Sequence, residues 1–317
     1  MALGNLAERI LLAPAKNGSN RLCILTKIAA PNMASWLLRN YSQKPKKSVK
    51  VEIVISDIAT DGISLPIHEG FKKLQTDISN FNCNYAFESV SVDSNLYIWL
   101  SDDTPVSAFS TDVNFEQSVF LEGSDVDAVS CDASGAFEQY KIAESKSIYC
   151  NHIEIEDTVR IYHSSSLGNF TNADEGYLGD CRNEVILSLV TKRTGEPGTR
   201  SGLNWGQRKG RNKNQAYIPL PIEIAKSGFF PTEPKKAPPH FTVVTDDKRQ
   251  LILRLEQQNH KAITTPLSNA QLGEYFRGRL NLANGAYVTR ADLERYGRID
   301  VRFVKIDEEH YYLDFSV

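Results

Sequence analysis

The apolar residues of this chain change their spacing part-way along, and that change limits what it can fold into. In the first half, short β-branched runs such as RLCILTKIAA and VEIVISDIA are each followed by a polar break and a stretch with helical spacing. Met33, Trp36, Leu37 and Leu38 recur in PNMASWLLRNY, and Ile67, Phe71 and Leu74 in LPIHEGFKKLQ. That order of strand, helix, strand, helix predicts a layered α/β/α unit. SNLYIWLS and VSAFSTDVNF, on either side of the turn-like DDTP, add a strand pair, and CNHIEIEDTVRIYHSS reads as one more alternating segment.

The second half reads differently. EVILSLVTK, QAYIPLPIEI, HFTVVTDD, QLILRLEQ, HKAITTP, IDVRFVKID and HYYLDFSV are short strands at close spacing, which predicts a mainly β barrel or sandwich. Two helices interrupt them. One is SNAQLGEYFRGRL with Ser268 as N-cap; the other is TRADLERYG, opened by Thr289 and closed by Gly297. The polar, glycine-containing SSSLGNFTNADEGYLGD between the halves is read as a linker, roughly 164–182. The expected domains are 1–165 and 183–317, each long enough for a core of its own.

The net charge is only −3, but the average conceals an asymmetry. No lysine or arginine lies between Lys73 and Lys141, a stretch that carries Asp77, Glu88, Asp93, Asp102, Asp103, Asp112, Glu116, Glu122, Asp125, Asp127, Asp132 and Glu138. Such a surface repels polyanions. From Lys192 to Lys236 the sign reverses. Lys192, Arg193, Arg200, Arg208, Lys209, Arg211, Lys213, Lys226, Lys235 and Lys236 face only Glu196, Glu223 and Glu233. A basic cluster in a near-neutral chain is the footprint of a nucleic-acid contact, although a solvated lysine-rich loop has the same composition.

Cys23, Cys83, Cys131, Cys150 and Cys181 are odd in number and form no C-x-x-C pair, which argues against a disulfide framework or zinc site and fits a reducing cytosol. No apolar run approaches the roughly 20 residues a membrane span needs. Glu8 and the short apolar stretches around it do not make a signal peptide. A cytoplasmic protein without membrane contact is expected.

RSGLNWGQRKGRNKNQAYIPLP is the most unusual segment. Arg200, Asn204, Gln207, Arg208, Arg211, Asn212 and Asn214 surround Trp205, and glycines allow close backbone approach. Arginine binds guanine edges in a bidentate manner, and asparagine or glutamine does the same for adenine. Lys209 and Lys213 suit phosphates, which position a protein without specifying sequence. RNA or an acidic protein surface would suit the same inventory.

The C-terminal half also resembles the NgoFVII-type restriction endonuclease family. The residues that carry the likeness are SGLNWGQR (Ser201–Arg208), AYIP (Ala216–Pro219), TDD (Thr245–Asp247), YGR (Tyr296–Arg298) and YYLDFS (Tyr311–Ser316). The resemblance implies a pseudobarrel like the DNA-binding domain of plant transcription factors, gripping duplex DNA with an early and a late arm. The early arm falls on Arg200–Asn214. Candidates for the late arm are His260–Asn269, which includes Lys261, and the face bearing Tyr275, Arg277 and Arg279. For Trp205 the competing expectation is packing; for Arg277 and Arg279 it is ordinary helix-surface charge.

The same resemblance implies an N-terminal phospholipase-D-like nuclease domain. Its chemistry needs a histidine nucleophile with a lysine two residues on, in a motif reading H-S-K-L-Y-x-W, and then a strand like G-S-A-N-F. No metal is required. Here Asp93–Trp99 reads D-S-N-L-Y-I-W and Ser110–Phe115 reads S-T-D-V-N-F. Asp93 stands at the histidine position and Asn95 at the lysine position. Asp112 replaces a serine, Asn114 is retained, and Asp125 falls near the acidic position. A carboxylate is a poor nucleophile that repels phosphate, and without the lysine nothing offsets that repulsion. His163 is read as structural.

The expectation is therefore a sequence-specific double-stranded DNA-binding protein of restriction-endonuclease type with a degenerate nuclease motif and no cofactor. Homodimerisation through the N-terminal domain is expected by resemblance, with a separate nuclease or methyltransferase as a further partner. The alternatives are an active endonuclease with unorthodox residues, for which Mg²⁺ held by aspartate and asparagine oxygens is the cofactor, and a regulatory DNA-binding protein.

Overall fold

The computed structural model describes residues 6–42, 49–90, 92–121, 128–162, 184–232, 238–306 and 308–317. The expected linker, together with Asp125, Glu122, Asp127, His163, Cys181, Glu233, Lys235 and Lys236, lies outside the described residues. The chain divides into two compact units, Met1–Ser165 and Ser166–Val317.

The first unit is built on one seven-stranded sheet. Its strands are β1 (Arg21–Thr26), β2 (Lys50–Ile55), β3 (Phe81–Ala86), β4 (Asn95–Ser101), β5 (Thr104–Thr111), β6 (Val129–Cys131) and β7 (Ser147–Tyr149). Their order is β6-β5-β4-β1-β2-β3-β7. The three central strands β1, β2 and β3 run parallel, and the flanking ones antiparallel to their neighbours. The crossovers are helices α1 (Pro31–Ser42) and α2 (Leu65–Asp77). Five of the six residues in both β1 and β2 are buried, as continuous apolar runs require when both faces of a sheet are covered. One face packs on α3 (Ala133–Ser145), where Cys23, Leu25, Val54, Leu96, Ile98 and Leu100 meet Ala136, Tyr140 and Ala143. The stretch expected to be a strand near residue 155 is instead a helical turn, Ile155–Thr158, followed by a two-residue strand.

The second unit is a second seven-stranded sheet: β8 (Glu184–Ser188), β9 (Ile218–Pro219), β10 (His240–Thr245), β11 (Gln250–Glu256), β12 (Ala262–Thr264), β13 (Asp300–Lys305) and β14 (His310–Asp314). Its order is β8-β13-β14-β10-β11-β12-β9, antiparallel except for β10 against β14. The two edge strands come back into contact, so the sheet is a nearly closed barrel. Alternate residues of β11 point inward. The interior is aromatic: Phe230, Phe241, Phe303 and Tyr311 pack on Leu187, Leu253 and Leu313.

Two helices, α4 (Ala270–Arg279) and α5 (Arg290–Tyr296), accompany the barrel. Asn269, not Ser268, is the N-cap of α4, and it makes no side-chain cap. Thr289 caps α5 in a reciprocal box with Asp292, and left-handed Gly297 closes it. The IEI of QAYIPLPIEI is a helical turn, Ile222–Ala225.

Candidate nucleic-acid interface

Between β8 and β9 the chain leaves the barrel as a loop braced on itself. Ser201 is extended, and Gly202–Gln207 forms a 3₁₀ helix. The chain then folds back, so that the Gly206 amide donates to the Gln215 carbonyl at 2.7 Å and Gln215 to Asn212 at 3.0 Å. Gly206 has to be glycine: a β-carbon there would lie 2.3 Å from the Asn212 carbonyl.

The side chains of this loop separate by chemistry. Arg200, Arg208, Lys209, Arg211, Asn212 and Lys213 are exposed, as are Lys192 and Arg193 just before them. Asn204 and Asn214 are buried and Gln207 is partly so. Asn204 makes a two-way pair with Val288, donating from Nδ2 to its carbonyl and accepting from its amide, both at 2.8 Å. Asn214 Oδ1 accepts from the Gly285 amide at 2.6 Å, and Gln207 Nε2 donates to the Gly285 carbonyl at 3.0 Å. These three amides, expected to read bases, hold the loop to residues 285–288 instead. Asn204 and Asn214 are each engaged at both ends of the amide, Asn214 Nδ2 donating to Glu274 Oε1 at 3.2 Å, whereas Gln207 is held through its Nε2 alone.

The bases behave in the opposite way. Among the described residues, Lys192, Arg193, Arg200, Arg208, Lys209, Arg211 and Lys213 form no ion pair. Elsewhere in the same unit Arg279, Arg290, Arg295, Arg298, Arg302 and Lys305 are all paired with carboxylates. Unopposed positive charge is thus concentrated in one segment, with Lys226, Lys248 and Lys261 as further exposed lysines of this unit that form no ion pair among the described residues. Arg208 Nε donates to the Arg200 carbonyl at 2.9 Å, which leaves the end of its guanidinium fork outward. Trp205 packs edge-on to Tyr217.

Two expected contacts are corrected. Arg277 is completely buried, and it donates to the carbonyls of Ala286 (2.8 Å), Gly273 (3.2 Å) and Leu203 (3.2 Å). Burial of this unpaired guanidinium lowers its pKa. Arg279 lies among Tyr275, Tyr296 and Phe315 and forms a bidentate pair with Asp246. Its hydrogen bonds to Asp246 raise its pKa. Neither is a free helix-surface charge, and neither is placed to touch a groove. The proposed stretch His260–Asn269 also changes character, because Ala262–Pro266 is buried and only Lys261 and Ser268 are exposed. The exposed residues lie one step earlier. Gln257, Gln258 and Asn259 form a tight loop in which Gln257, Asn259 and His260 all have positive φ. Non-glycine residues in such conformations gather at functional loops.

In the first unit the sheet topology brings the nuclease-motif positions together at the carboxyl edge of β1 and β2, because β4 begins there and β5 ends there. Asp93 and Asp112 are exposed, and Asn114 is partly buried. Asn95, at the lysine position, points inward. Its Oδ1 accepts from the Lys27 amide at 2.8 Å and its Nδ2 donates to the Val113 carbonyl at 2.9 Å. It ties β1 to the end of β5 and offers nothing to a phosphate. Ser94 and Ser110 share a 2.5 Å hydrogen bond.

Lys27 is the residue that the charge map missed. It lies far from the acidic stretch in sequence, yet its Nζ donates to the Asp93 carbonyl at 3.4 Å. Arg21 and Lys146 likewise reach Asp103 and Glu88. Among the described residues no group of three or more His, Cys, Asp or Glu could hold a metal ion, and no helix is long and apolar enough to cross a membrane.

Comparison with known families matches both units. Residues 4–157 match the NgoFVII restriction endonuclease N-terminal PLD domain, and residues 179–307 match the NgoFVII C-terminal B3-like DNA-binding domain. No curated protein matches the chain.

Proposed function

Since the chain belongs to the NgoFVII restriction endonuclease family, we propose that it recognises a specific sequence in double-stranded DNA through the B3-like unit while its phospholipase-D-like unit no longer hydrolyses DNA. The observation that carries this reading is the set of exposed, unpaired bases on the braced loop 192–213. Lys192, Arg193, Lys209 and Lys213 are suited to phosphates, and Arg200, Arg208 and Arg211 to guanine edges. The late arm is the strained loop Gln257–Lys261, whose exposed amides suit adenine. The amides Asn204, Gln207 and Asn214 serve as braces.

The loss of hydrolysis rests on two substitutions with different consequences. Asp93 places a carboxylate where the nucleophile belongs, and Asn95 turns the phosphate-holding position into a strand brace. The reading needs no cofactor, and includes a homodimer formed through the N-terminal unit with cleavage or methylation supplied by another chain. A second reading, an active endonuclease with unorthodox groups, has Lys27 in its favour, since it brings one cation to Asp93.

Selection of binding sites from random duplexes, followed by fluorescence anisotropy, tests recognition. Arg208→Ala and Arg211→Ala are expected to cost about 1–3 kcal/mol each and to relax preference at one position. Lys209→Ala and Lys213→Ala are expected to weaken all sequences alike and to lower the salt slope by about one. Unchanged binding in the arginine variants removes the loop from the interface. Plasmid incubated with the chain alone, in Mg²⁺ and in EDTA, is expected to stay intact; cleavage in either favours the second reading.

A further inference from the structure

The loop after α4, residues 281–287, is held to the recognition loop by an unusual number of side-chain bonds. The Gly285 amide is bound by Asn214, the Gly285 carbonyl by Gln207, the Ala286 carbonyl by Arg277, and both main-chain groups of Val288 by Asn204. Five main-chain groups within four residues are thus satisfied by four side chains, three of which belong to the recognition loop. Contact is also close. Gly285 has φ +77°, and a β-carbon on it would lie 2.8 Å from Lys213 Cβ. The loop therefore runs directly beside a lysine of the basic face and is rigidly registered to it.

What this loop shows outward is chemically specific. Asn281, Asn284 and Tyr287 are exposed, with Tyr287 44% accessible, and none of their side chains has a hydrogen-bond partner among the described residues. A loop that only closed α4 would not need its backbone fixed by two buried amides, a half-buried one and a buried guanidinium. Fixing it does have a use if it must meet a ligand in the same register as its neighbour, since preorganised contacts avoid the ordering cost of binding. We infer that loop 281–287 is a third DNA-contacting element, with Asn284 and Tyr287 as its contacting side chains. Asparagine pairs with an adenine edge or a phosphate, and the tyrosine hydroxyl donates to a phosphate.

This inference rests on DNA binding by the recognition loop, so the test carries a control for that reading. Asn284→Ala, Tyr287→Ala and Arg208→Ala are made in the full chain, with thermal unfolding confirming an intact fold. Each is titrated against the selected duplex and a scrambled one at several salt concentrations. Asn284→Ala is expected to weaken the selected duplex about ten-fold or more with little change on the scrambled one. Tyr287→Ala is expected to weaken both, and Tyr287→Phe to match it if the hydroxyl is the contact. If Arg208→Ala weakens binding while Asn284→Ala and Tyr287→Ala match the parent, the loop is no contact and the recognition loop stands. If Arg208→Ala also matches the parent, the underlying DNA assignment falls and the inference falls with it.

Discussion

Arg211 sits over the ring of Trp205, its guanidinium carbon 4.2 Å from the ring centroid, and donates to Gln215 Oε1 at 3.0 Å. The tryptophan is therefore a platform that aims an arginine. Its own packing against Tyr217 keeps the platform still. Trp205→Ala is expected to weaken DNA binding by about 1 kcal/mol, the scale of an exposed cation–π contact. The double variant with Arg211→Ala should bind no worse than Arg211→Ala alone. Additive losses in anisotropy titrations would mean that Trp205 acts by another route.

Arg277 joins three carbonyls from three segments around the recognition loop. Its removal leaves buried acceptors unsatisfied, each costing about 1–3 kcal/mol. Arg277→Met is expected to destabilise the second unit by about 3 kcal/mol or more in urea unfolding. Arg277→Lys should not rescue it, because an ammonium cannot reproduce the planar fork.

The Arg279–Asp246 pair closes the end of the chain. Nη1 and Nη2 reach the two carboxylate oxygens at 2.8 and 2.6 Å, and Asp246 Oδ1 also accepts from the Phe315 amide at 3.0 Å. The two side chains are only 14% and 11% exposed. Deleting either partner strands a poorly solvated charge, so Arg279→Ala is expected to cost about 3–5 kcal/mol of stability. DNA affinity measured per folded molecule should stay unchanged, in contrast to Arg208→Ala.

Asn95 makes a structural prediction out of a lost catalytic position. Asn95→Ala breaks the bonds to the half-buried Lys27 amide and the buried Val113 carbonyl, which keeps only the long contact from the Tyr97 hydroxyl at 3.5 Å. A loss of about 2–4 kcal/mol is expected in the first unit, whereas Asp93→Ala, at an exposed site, should be near neutral. For the same reason Asp93→His with Asn95→Lys should destabilise the unit before it restores any hydrolysis.

His68 gives the first unit a pH dependence. The ring is buried against Tyr85, and neither nitrogen has a hydrogen-bond partner among the described residues. Burial lowers its pKa from the ordinary 6.5, with Glu69 and Glu156 opposing and Lys72 assisting the shift. The unfolded chain therefore takes up a proton near pH 6.5 that the folded unit refuses until the pH is lower. Stability contributed by neutral His68 is complete above 6.5 and declines as the pH falls through that value toward the folded pKa. His68→Phe should flatten thermal stability over this window; an unchanged pH profile would show that His68 does not cause it.

The sequence by itself determined the two-part architecture and the charge polarity. Helical and two-residue periodicities follow from which side chains must face a core, and an apolar pattern is written locally. The D-S-N departure from H-S-K and the basic loop were equally legible, because both lie in contiguous residues. Tertiary structure alone decided which polar side chains remain available. Asn204, Asn214 and Arg277 have the same donors and acceptors as residues that meet DNA, and they differ only in being met first by Val288, Gly285 and Leu203, some 70 to 85 positions away. Lys27 reached Asp93 in the same way, through strand pairing across the sheet. A hydrogen-bonding group's role depends on whether the fold has already saturated it, and that depends on long-range neighbours that composition does not record.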